Sequence, residues 1–247
     1  MKADLALITG ASSDIGLALI RHLVASPNPP IILAHSHSSS ERIEALRAEL
    51  NFDSIHPLQA DLGSADAVAA LADRIMVDFG APNKIVHLPG LKLVYERFTK
   101  FNWDHFETDL NIQVRSAVVL LKRFMPIMAK LPTAQIVFLL SSVTRGVPPK
   151  FMSMYTTVKH AQLGLMRALA SEYAGTGISV NAVTPGMVET RFLDNIPDVA
   201  KQMSASTIPR SRNATTEDVV NAIEFLLSEK SNYITGIELP VTGGSAY

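Results

Sequence analysis

The stretch Leu5-Ala-Leu-Ile-Thr-Gly-Ala-Ser-Ser-Asp-Ile-Gly-Leu-Ala-Leu-Ile-Arg-His-Leu23 joins a short apolar run, a turn with two glycines and an amphipathic pattern. This order predicts a buried strand, a tight turn and a helix. Gly10 and Gly16 permit close approach of the backbone, and the N-terminus of the helix presents amide donors to an anion such as a pyrophosphate. The alternative is an ordinary strand-to-helix turn in which Asp14 is the N-cap.

Strand-like and helix-like patterns alternate along the rest of the chain, which is typical of an α/β protein with a mostly parallel sheet and helices on both faces. Strands are predicted at 5–9, 31–35, 55–59, 85–88, 136–141, 178–183 and 237–241, and helices at 15–25, 40–50, 65–79, 104–130, 155–174 and 216–228. No linker interrupts this order, so a single domain over residues 1–247 is expected.

Composition excludes several classes of function. The 247 residues are 47% hydrophobic, which suffices for one large core, and the net charge of −1 comes from scattered residues, so neither nucleic acid nor a membrane surface is an expected partner. The absence of cysteine excludes thiolate metal sites and fits a reducing compartment, and a cytoplasmic location and no metal are expected. The apolar start is too short for a signal peptide, and no apolar run reaches the ~18 residues of a membrane span.

Tyr155 and Lys159 are four residues apart, a spacing that places phenol and ammonium side by side on a helix. A nearby positive charge favours the phenolate and lowers the pKa of a tyrosine, so Tyr155 is a candidate general acid or base. Ser142 lies thirteen residues upstream, at the end of a predicted strand, and its hydroxyl could hold a substrate oxygen together with Tyr155. The alternative is a half-buried packing tyrosine followed by a solvated lysine.

The segment from Pro185 to Thr215 contains Pro197 and Pro209 and is predicted to be irregular. Because this segment leaves the carboxyl end of a strand, its residues from about 187 to 215 are predicted to form a substrate lid. Apolar residues near Tyr155 and in this lid suit an apolar or acyl-bearing carbonyl compound, or alternatively a subunit interface. They are Phe151, Met152, Met154, Met187, Phe192, Ile196 and Met203.

Five features together resemble the single-domain short-chain dehydrogenases/reductases, and most of all the 3-oxoacyl-(acyl-carrier-protein) reductases. They are Thr-Gly-x5-Gly at 9–16, Ser142, Tyr155-x3-Lys159, Asn-Ala-Val-Thr-Pro-Gly at 181–186, and the closing Ile-Thr-Gly at 234–236 with Gly243-Gly244. The resemblance covers the chain end to end. It implies a seven-stranded, doubly wound Rossmann-type sheet and a cofactor that is NAD or NADP.

The resemblance also implies roles for individual residues. Tyr155 would exchange a proton with the substrate oxygen, Lys159 would lower the pKa of Tyr155 and bind the nicotinamide ribose, and Ser142 would polarise the carbonyl. The catalytic-helix Asn of the family falls on Gln113, with Asn111 two residues earlier. The expected cofactor-binding residues are Gly10, Ser12, Ser13, Asp14, Ile15, Gly16, His35, Ser36, His37, Asp61, Leu62, Leu88, Pro89, Gly90, Tyr155, Lys159, Pro185, Gly186, Val188 and Thr190.

Three positions depart from the family pattern. Asp14 replaces a glycine and would repel a phosphate unless its carboxylate points away. His87-Leu-Pro-Gly90 replaces Asn-Asn-Ala-Gly, so the side-chain hydrogen bonds that tie this turn to the sheet are expected to be missing. Gln113 retains an amide, and activity is expected to persist at an equal or reduced level.

The end of the second strand favours NADP(H) over NAD(H). His35 and Ser36 stand where an NAD enzyme places a carboxylate for the ribose hydroxyls, and His37 and Arg42 add donors nearby. The alternative is that the serines at 38–40 only cap the following helix.

The sequence thus predicts an NADP(H)-dependent reductase of a carbonyl, with a 3-oxoacyl thioester as the first substrate hypothesis. The alternatives are an alcohol, steroid or sugar dehydrogenase on the same scaffold, or a catalytically weak nucleotide-binding scaffold or sensor. The resemblance implies a homo-oligomer, a tetramer or dimer, formed through the long helices that begin near Asp104 and Tyr155. The apolar stripe of Val118, Leu121 and Met125 fits this interface or the core equally well.

Overall fold

A computed structural model describes residues 4–194 and 196–246 of the chain. The two ends of the predicted 1–247 domain and Asn195 of the predicted lid lie outside the described residues. The strands are Leu5–Thr9 (β1), Ile31–Ser36 (β2), Ile55–Gln59 (β3), Lys84–His87 (β4), Ala134–Leu139 (β5), Ile178–Pro185 (β6) and Glu238–Val241 (β7). The α-helices are Asp14–Ala25 (α1), Glu41–Leu50 (α2), Ala65–Asp78 (α3), Trp103–Leu110 (α4), Ser116–Met128 (α5), Ser153–Glu172 (α6), Asp198–Thr207 (α7) and Thr216–Leu227 (α8).

The seven strands form one parallel sheet in the order β3-β2-β1-β4-β5-β6-β7. The predicted Rossmann-type fold is therefore confirmed. The chain winds outward in opposite directions from β1 and β4, so a crevice opens at the carboxyl ends of these two strands. All the segments that leave the carboxyl ends of the strands meet along this edge.

Helices cover both faces of the sheet, because the strands are apolar on both sides. One core cluster packs α3, α5 and α6 against the sheet around Phe124 and Phe138, and the other packs α1, α2 and α8 around Ile20 and Ile223. Leu121 and Met125 of the predicted stripe are buried in the first cluster. The core alternative is therefore correct for these two side chains.

A single π-helical turn, Asn111–Arg115, joins α4 to α5, so the predicted helix at 104–130 is one continuous rod with a local widening. The amide oxygen of Asn102 caps its start by accepting from the main-chain N–H of His105 at 3.0 Å. Single π turns in helices are frequent at functional sites. This one carries Gln113.

The predicted lid is more regular than the sequence indicated. After β6 the chain forms a short 3₁₀ helix, Arg191–Leu193, and then α7. Pro197 does not prevent α7, because it stands at the N-cap, where a proline costs no intrahelical hydrogen bond. In the described ranges, no helix combines the length and apolar character needed to cross a membrane.

Candidate active site

A cavity of about 670 Å³ runs along the carboxyl edge of the sheet. Tyr155, Lys159, Ser142 and Gln113 all line it. So do all the predicted cofactor-binding residues except Gly16 and Ser36. A Cβ on Gly16 would lie 2.5 Å from the carbonyl oxygen of Ala11, so this glycine permits helix packing. Ser36 is buried, and its hydroxyl has no partner in the described part of the chain.

The turn after β1 has the features of an anion site. Gly10 has φ +73°, and a Cβ there would lie 3.2 Å from the main-chain nitrogen of Pro89, so only glycine fits. The hydroxyl of Ser13 caps α1 by accepting from Gly16 N at 3.1 Å, so the alternative with Asp14 as N-cap is wrong. The residues that lead into α1 line the cavity at the positive end of the helix dipole, where main-chain amide groups favour an anion.

Two arginines neutralise Asp14. Its carboxylate accepts from Arg42 Nη2 at 2.8 Å, from Arg191 Nε at 3.0 Å and from the main-chain N–H of Arg191 at 2.8 Å. Both guanidinium groups also donate to the carbonyl oxygen of Ser12. An anion at this turn would therefore meet a cluster of one carboxylate and two guanidinium groups, which is net positive, rather than an isolated carboxylate. Arg191 was not a predicted site residue, because only the fold brings it to Asp14.

His35 supports the turn and is not a free donor. Its Nδ1 accepts from Gly10 N at 3.2 Å, and its Nε2 donates to the carbonyl oxygen of Ala60 at 3.0 Å. Burial lowers the pKa of His35, so the ring is neutral near pH 7. Both ring nitrogens of His35 therefore have partners within the chain. His37 is exposed at the rim, where Nδ1 lies 3.6 Å from the carboxylate of Asp61.

His87 makes side-chain hydrogen bonds that connect the turn after β4 to its neighbours, although the replacement of Asn-Asn-Ala-Gly by His87-Leu-Pro-Gly90 was expected to remove such bonds. A carbonyl oxygen only accepts, so the 2.9 Å contact between His87 Nε2 and Gln113 O requires the proton on Nε2. Nδ1 then accepts from the hydroxyl of Thr9 at 2.8 Å. Burial lowers the pKa of His87 to about 3, which keeps the ring neutral. The expected loss of side-chain hydrogen bonds at this turn is therefore wrong.

Tyr155 and Lys159 lie together in the first two turns of α6, as their spacing predicted. Lys159 Nζ is 5.7 Å from the centroid of the Tyr155 ring and donates to Leu139 O at 2.8 Å and to Gln162 Oε1 at 3.1 Å. Lys159 is only 5% exposed, so the alternative of a solvated lysine is wrong. Burial lowers the pKa of Lys159 to about 8.

The phenol of Tyr155 is not acidified in this structure. Burial raises the pKa of Tyr155 to about 12, although a hydrogen bond from Ser141 acts in the opposite direction. The prediction of a lowered pKa is wrong here because the cost of burying a phenolate exceeds the stabilisation that its neighbours give. Tyr155 therefore holds its proton at neutral pH.

Two adjacent serines lie beside Tyr155. Ser141 follows β5 and lines the cavity, and its hydroxyl acts to lower the pKa of Tyr155. Ser142 begins the 3₁₀ turn Ser142–Thr144 and lines the same cavity. The sequence singled out Ser142 alone, and the fold brings Ser141 to the wall of the same cavity.

Gln113, and not Asn111, lies in the cavity wall. Its side chain is fully buried, and Nε2 donates to the carboxylate of Asp109 at 2.7 Å. Asp109 was not predicted. Its spacing of four residues from Gln113 was the only sequence signal, and many helical pairs share that spacing.

The cavity is apolar beside Tyr155. Leu93, Val143 and Met152 form a buried cluster against which Tyr155 and Phe192 pack, with the two ring centroids 6.4 Å apart. Of the apolar residues predicted for the pocket, Met152, Met187 and Phe192 line the cavity, whereas Phe151, Met154, Ile196 and Met203 do not. Among the described residues, no three His, Asp or Glu side chains converge as metal ligands would.

Three comparisons relate this chain to known proteins. A family model described as enoyl-(acyl carrier protein) reductase matches residues 10–246. The 3-oxoacyl-(acyl-carrier-protein) reductase of Pseudomonas aeruginosa is 30% identical over 99% of this chain and 98% of its own length. The corresponding protein of Staphylococcus aureus is 28% identical over 97% and 96%.

Among solved structures, a short-chain dehydrogenase/reductase of Brucella melitensis, described as a glucose/ribitol dehydrogenase, superposes with a TM-score of 0.88. It is 25% identical, and the match covers 100% of both chains.

Proposed function

Because this chain belongs to the short-chain dehydrogenase/reductase family and is an NAD(P)-dependent oxidoreductase, we propose that it reduces a carbonyl to a hydroxyl with NADP(H). A 3-oxoacyl thioester is the substrate class that we propose first. The observation that carries the proposal is the buried Lys159 beside Tyr155, at the apolar end of a cavity whose other end is an anion-binding turn.

The residues present fit a dinucleotide. Gly10 gives the close approach of the backbone, and the N-terminus of α1 with Arg42 and Arg191 supplies donors for phosphates. No carboxylate stands at the end of β2, and His37 and Arg42 are near it, which favours a 2′-phosphate and hence NADP(H). When bound, the nicotinamide supplies the hydride.

Tyr155 would donate its proton to the substrate oxygen as negative charge develops there. Its high pKa keeps the proton available, and the positive charge of Lys159 would stabilise the phenolate that remains. The hydroxyl of Ser142, or of its neighbour Ser141, would polarise the carbonyl. Gln113 would hold the helix beside this centre through its hydrogen bonds.

The proposal of a 3-oxoacyl thioester draws on the apolar wall beside Tyr155 and on the names of the two bacterial relatives. The likeness to the Brucella glucose/ribitol dehydrogenase supports the alternative of an alcohol or sugar dehydrogenase on the same scaffold. We also propose a homo-oligomer, by analogy with the family. The cytoplasmic location stays a prediction.

The test is oxidation of NADPH, followed by absorbance, with an acetoacetyl thioester and a panel of ketones and sugars. We expect Tyr155→Phe to lower kcat/KM by roughly 100-fold or more, because it removes the proton donor. Tyr233→Phe is the matched control, because Tyr233 is fully exposed and distant from the cavity lining. Binding of NADPH without reduction of any compound would contradict the proposal and favour the weak scaffold or sensor.

A further inference from the structure

Asp109 is a buried carboxylate that the proposed reaction leaves without a role. Only 6% of the residue is exposed, and its Oδ1 accepts from the main-chain N–H of Leu91 at 3.1 Å and from Gln113 Nε2 at 2.7 Å. A buried charge is costly unless it is hydrogen-bonded and compensated. In the described part of the chain no cation lies within ion-pairing distance of it, so its compensation must come from farther away.

The carboxylate fixes the orientation of the Gln113 amide. An ionised carboxylate can only accept, so Gln113 must turn Nε2 towards Asp109. Oε1 is then left buried and without a partner among the described residues. A Cβ on Gly90 would lie 3.4 Å from Gln113 Nε2, so the glycine leaves room for this amide beside the turn after β4. The result is an oriented acceptor oxygen in the wall of the cavity.

Hydrogen bonds connect Asp109 to the ammonium of Lys159 by way of Gln113 and Gln162. Gln162 Nε2 donates to the main-chain oxygen of Gln113 at 3.1 Å, and Lys159 Nζ donates to Gln162 Oε1 at 3.1 Å. All these side chains are buried. In such a low-dielectric setting charges act on one another over longer distances than in water.

The negative charge of Asp109 affects the pKa values of both Lys159 and Tyr155. Burial lowers the pKa of Lys159, and the Asp109 carboxylate opposes that effect. Burial raises the pKa of Tyr155, and Asp109 adds to that increase, as Tyr95 does to a smaller extent. His87 also faces Lys159, and burial keeps it neutral.

We propose that Asp109 is a positioning residue of the catalytic centre, whose buried carboxylate orients Gln113 and supplies the compensating negative charge for the ammonium of Lys159. The inference rests on the proposed roles of Tyr155 and Lys159. Loss of the charge makes the ammonium easier to deprotonate, because the carboxylate then no longer opposes the effect of burial on the pKa of Lys159. It also makes the phenol easier to ionise, so both groups titrate at lower pH.

The test compares Asp109→Asn with Glu107→Gln. Asp109→Asn keeps the shape and an acceptor oxygen but removes the charge, whereas Glu107→Gln removes one charge from an exposed position on the same helix. The first measurement is an NMR titration of protein labelled with ¹³C at the lysine ε-carbons, without cofactor or substrate. Lys159→Arg identifies the resonance of Lys159, which titrates apart from ordinary lysines.

We expect Asp109→Asn to lower the titration midpoint of Lys159 by about one pH unit or more, and Glu107→Gln to leave it in place. Asp109→Glu, which keeps the charge, should retain a midpoint near that of the wild type. The second measurement is the pH profile of kcat/KM, whose basic limb should move to lower pH in Asp109→Asn. A merely structural role would instead lower the rate at every pH without moving the limb.

An unchanged Lys159 midpoint in folded Asp109→Asn would overturn the proposal. Should that variant not fold, the wild-type protein with ¹³C-labelled aspartate carboxyl groups decides: the Asp109 resonance should respond at the midpoint of Lys159, and no response would overturn the proposal. A shifted Lys159 midpoint in a protein that reduces no carbonyl compound would support the charge pairing and reject the proposed function instead.

Discussion

At the residue scale, Ser141 and Ser142 are the two candidates for the hydroxyl that polarises the substrate carbonyl. The hydroxyl of Ser141 acts to lower the pKa of Tyr155, and both serines line the cavity. We expect Ser141→Ala to raise the pKa of Tyr155 further, because that hydroxyl favours the phenolate. The loss of kcat/KM should be roughly 10-fold or more for the serine that contacts the substrate oxygen and small for the other.

Steady-state kinetics of both alanine variants would assign the role, with Ser153→Ala, at the first residue of α6 and outside the cavity lining, as the control. An equal and small effect of both changes would mean that neither hydroxyl polarises the carbonyl.

At the scale of elements, His87 joins β4 to β1 and to the π turn between α4 and α5. Burial lowers the pKa of His87 to about 3, from the ordinary histidine value of 6.5. The unfolded chain therefore takes up a proton before the folded protein does. The contribution of His87 to stability is complete above pH 6.5 and is lost as the pH falls towards 3, at up to about 1.4 kcal/mol per pH unit.

Urea unfolding at pH 7 and pH 5 measures this dependence. Between these two values we expect the wild type to lose roughly 2 kcal/mol more unfolding free energy than His87→Asn, which has no group that titrates there. His160→Asn, a change at an exposed histidine of α6, should lose as much as the wild type. Equal losses in the wild type and His87→Asn would show that His87 is not the acid-sensitive contact.

A second contact between elements fixes the turn that carries both serines. Glu238 on β7 is 6% exposed at its side chain and accepts from Thr144 Oγ1 at 2.9 Å and from Arg167 Nη2 on α6 at 2.8 Å. Glu238→Gln should cost about 2 kcal/mol of unfolding free energy, because it weakens charge-assisted hydrogen bonds. Thermal melting checks this cost, with the exposed Glu229→Gln as control. An unchanged melting temperature would contradict it.

At the scale of the whole molecule, one aromatic surface remains open where α4 meets α6. Phe98 and Trp103 are 75% and 65% exposed, and Trp103 packs against Phe106, with ring centroids 5.4 Å apart. Phe106 in turn contacts Met154 and Val158 of α6. This surface lies at the helices through which the proposed homo-oligomer would form.

Trp103 is the only tryptophan in the chain, so its fluorescence reports on this surface directly. If oligomers form here, the emission should shift to shorter wavelength as protein concentration rises, because the indole leaves water. Trp103→Glu should then sediment as a smaller species than the wild type, and Val77→Glu, at another exposed apolar position, should not. A wild-type monomer at all concentrations would contradict the oligomer.

Local patterns in the chain were sufficient to predict the order of strands and helices and the pairing of Tyr155 with Lys159, because periodicity and short spacing are local properties of a chain. They also located the turn around Gly10 and the cavity position of Gln113. Helix α7 was not predicted, because prolines such as Pro197 and Pro209 occur both next to helices and in irregular loops.

Contacts between groups that are distant along the chain depended on the fold. It brought Arg191 to Asp14, His87 to Gln113 and Asp109 into the network of Lys159, and it placed Ser141 beside Ser142 in the cavity wall. It also reversed the predicted direction of the Tyr155 pKa. Burial depends on the packing of the whole chain, and no local pattern of residues records how much water a side chain retains.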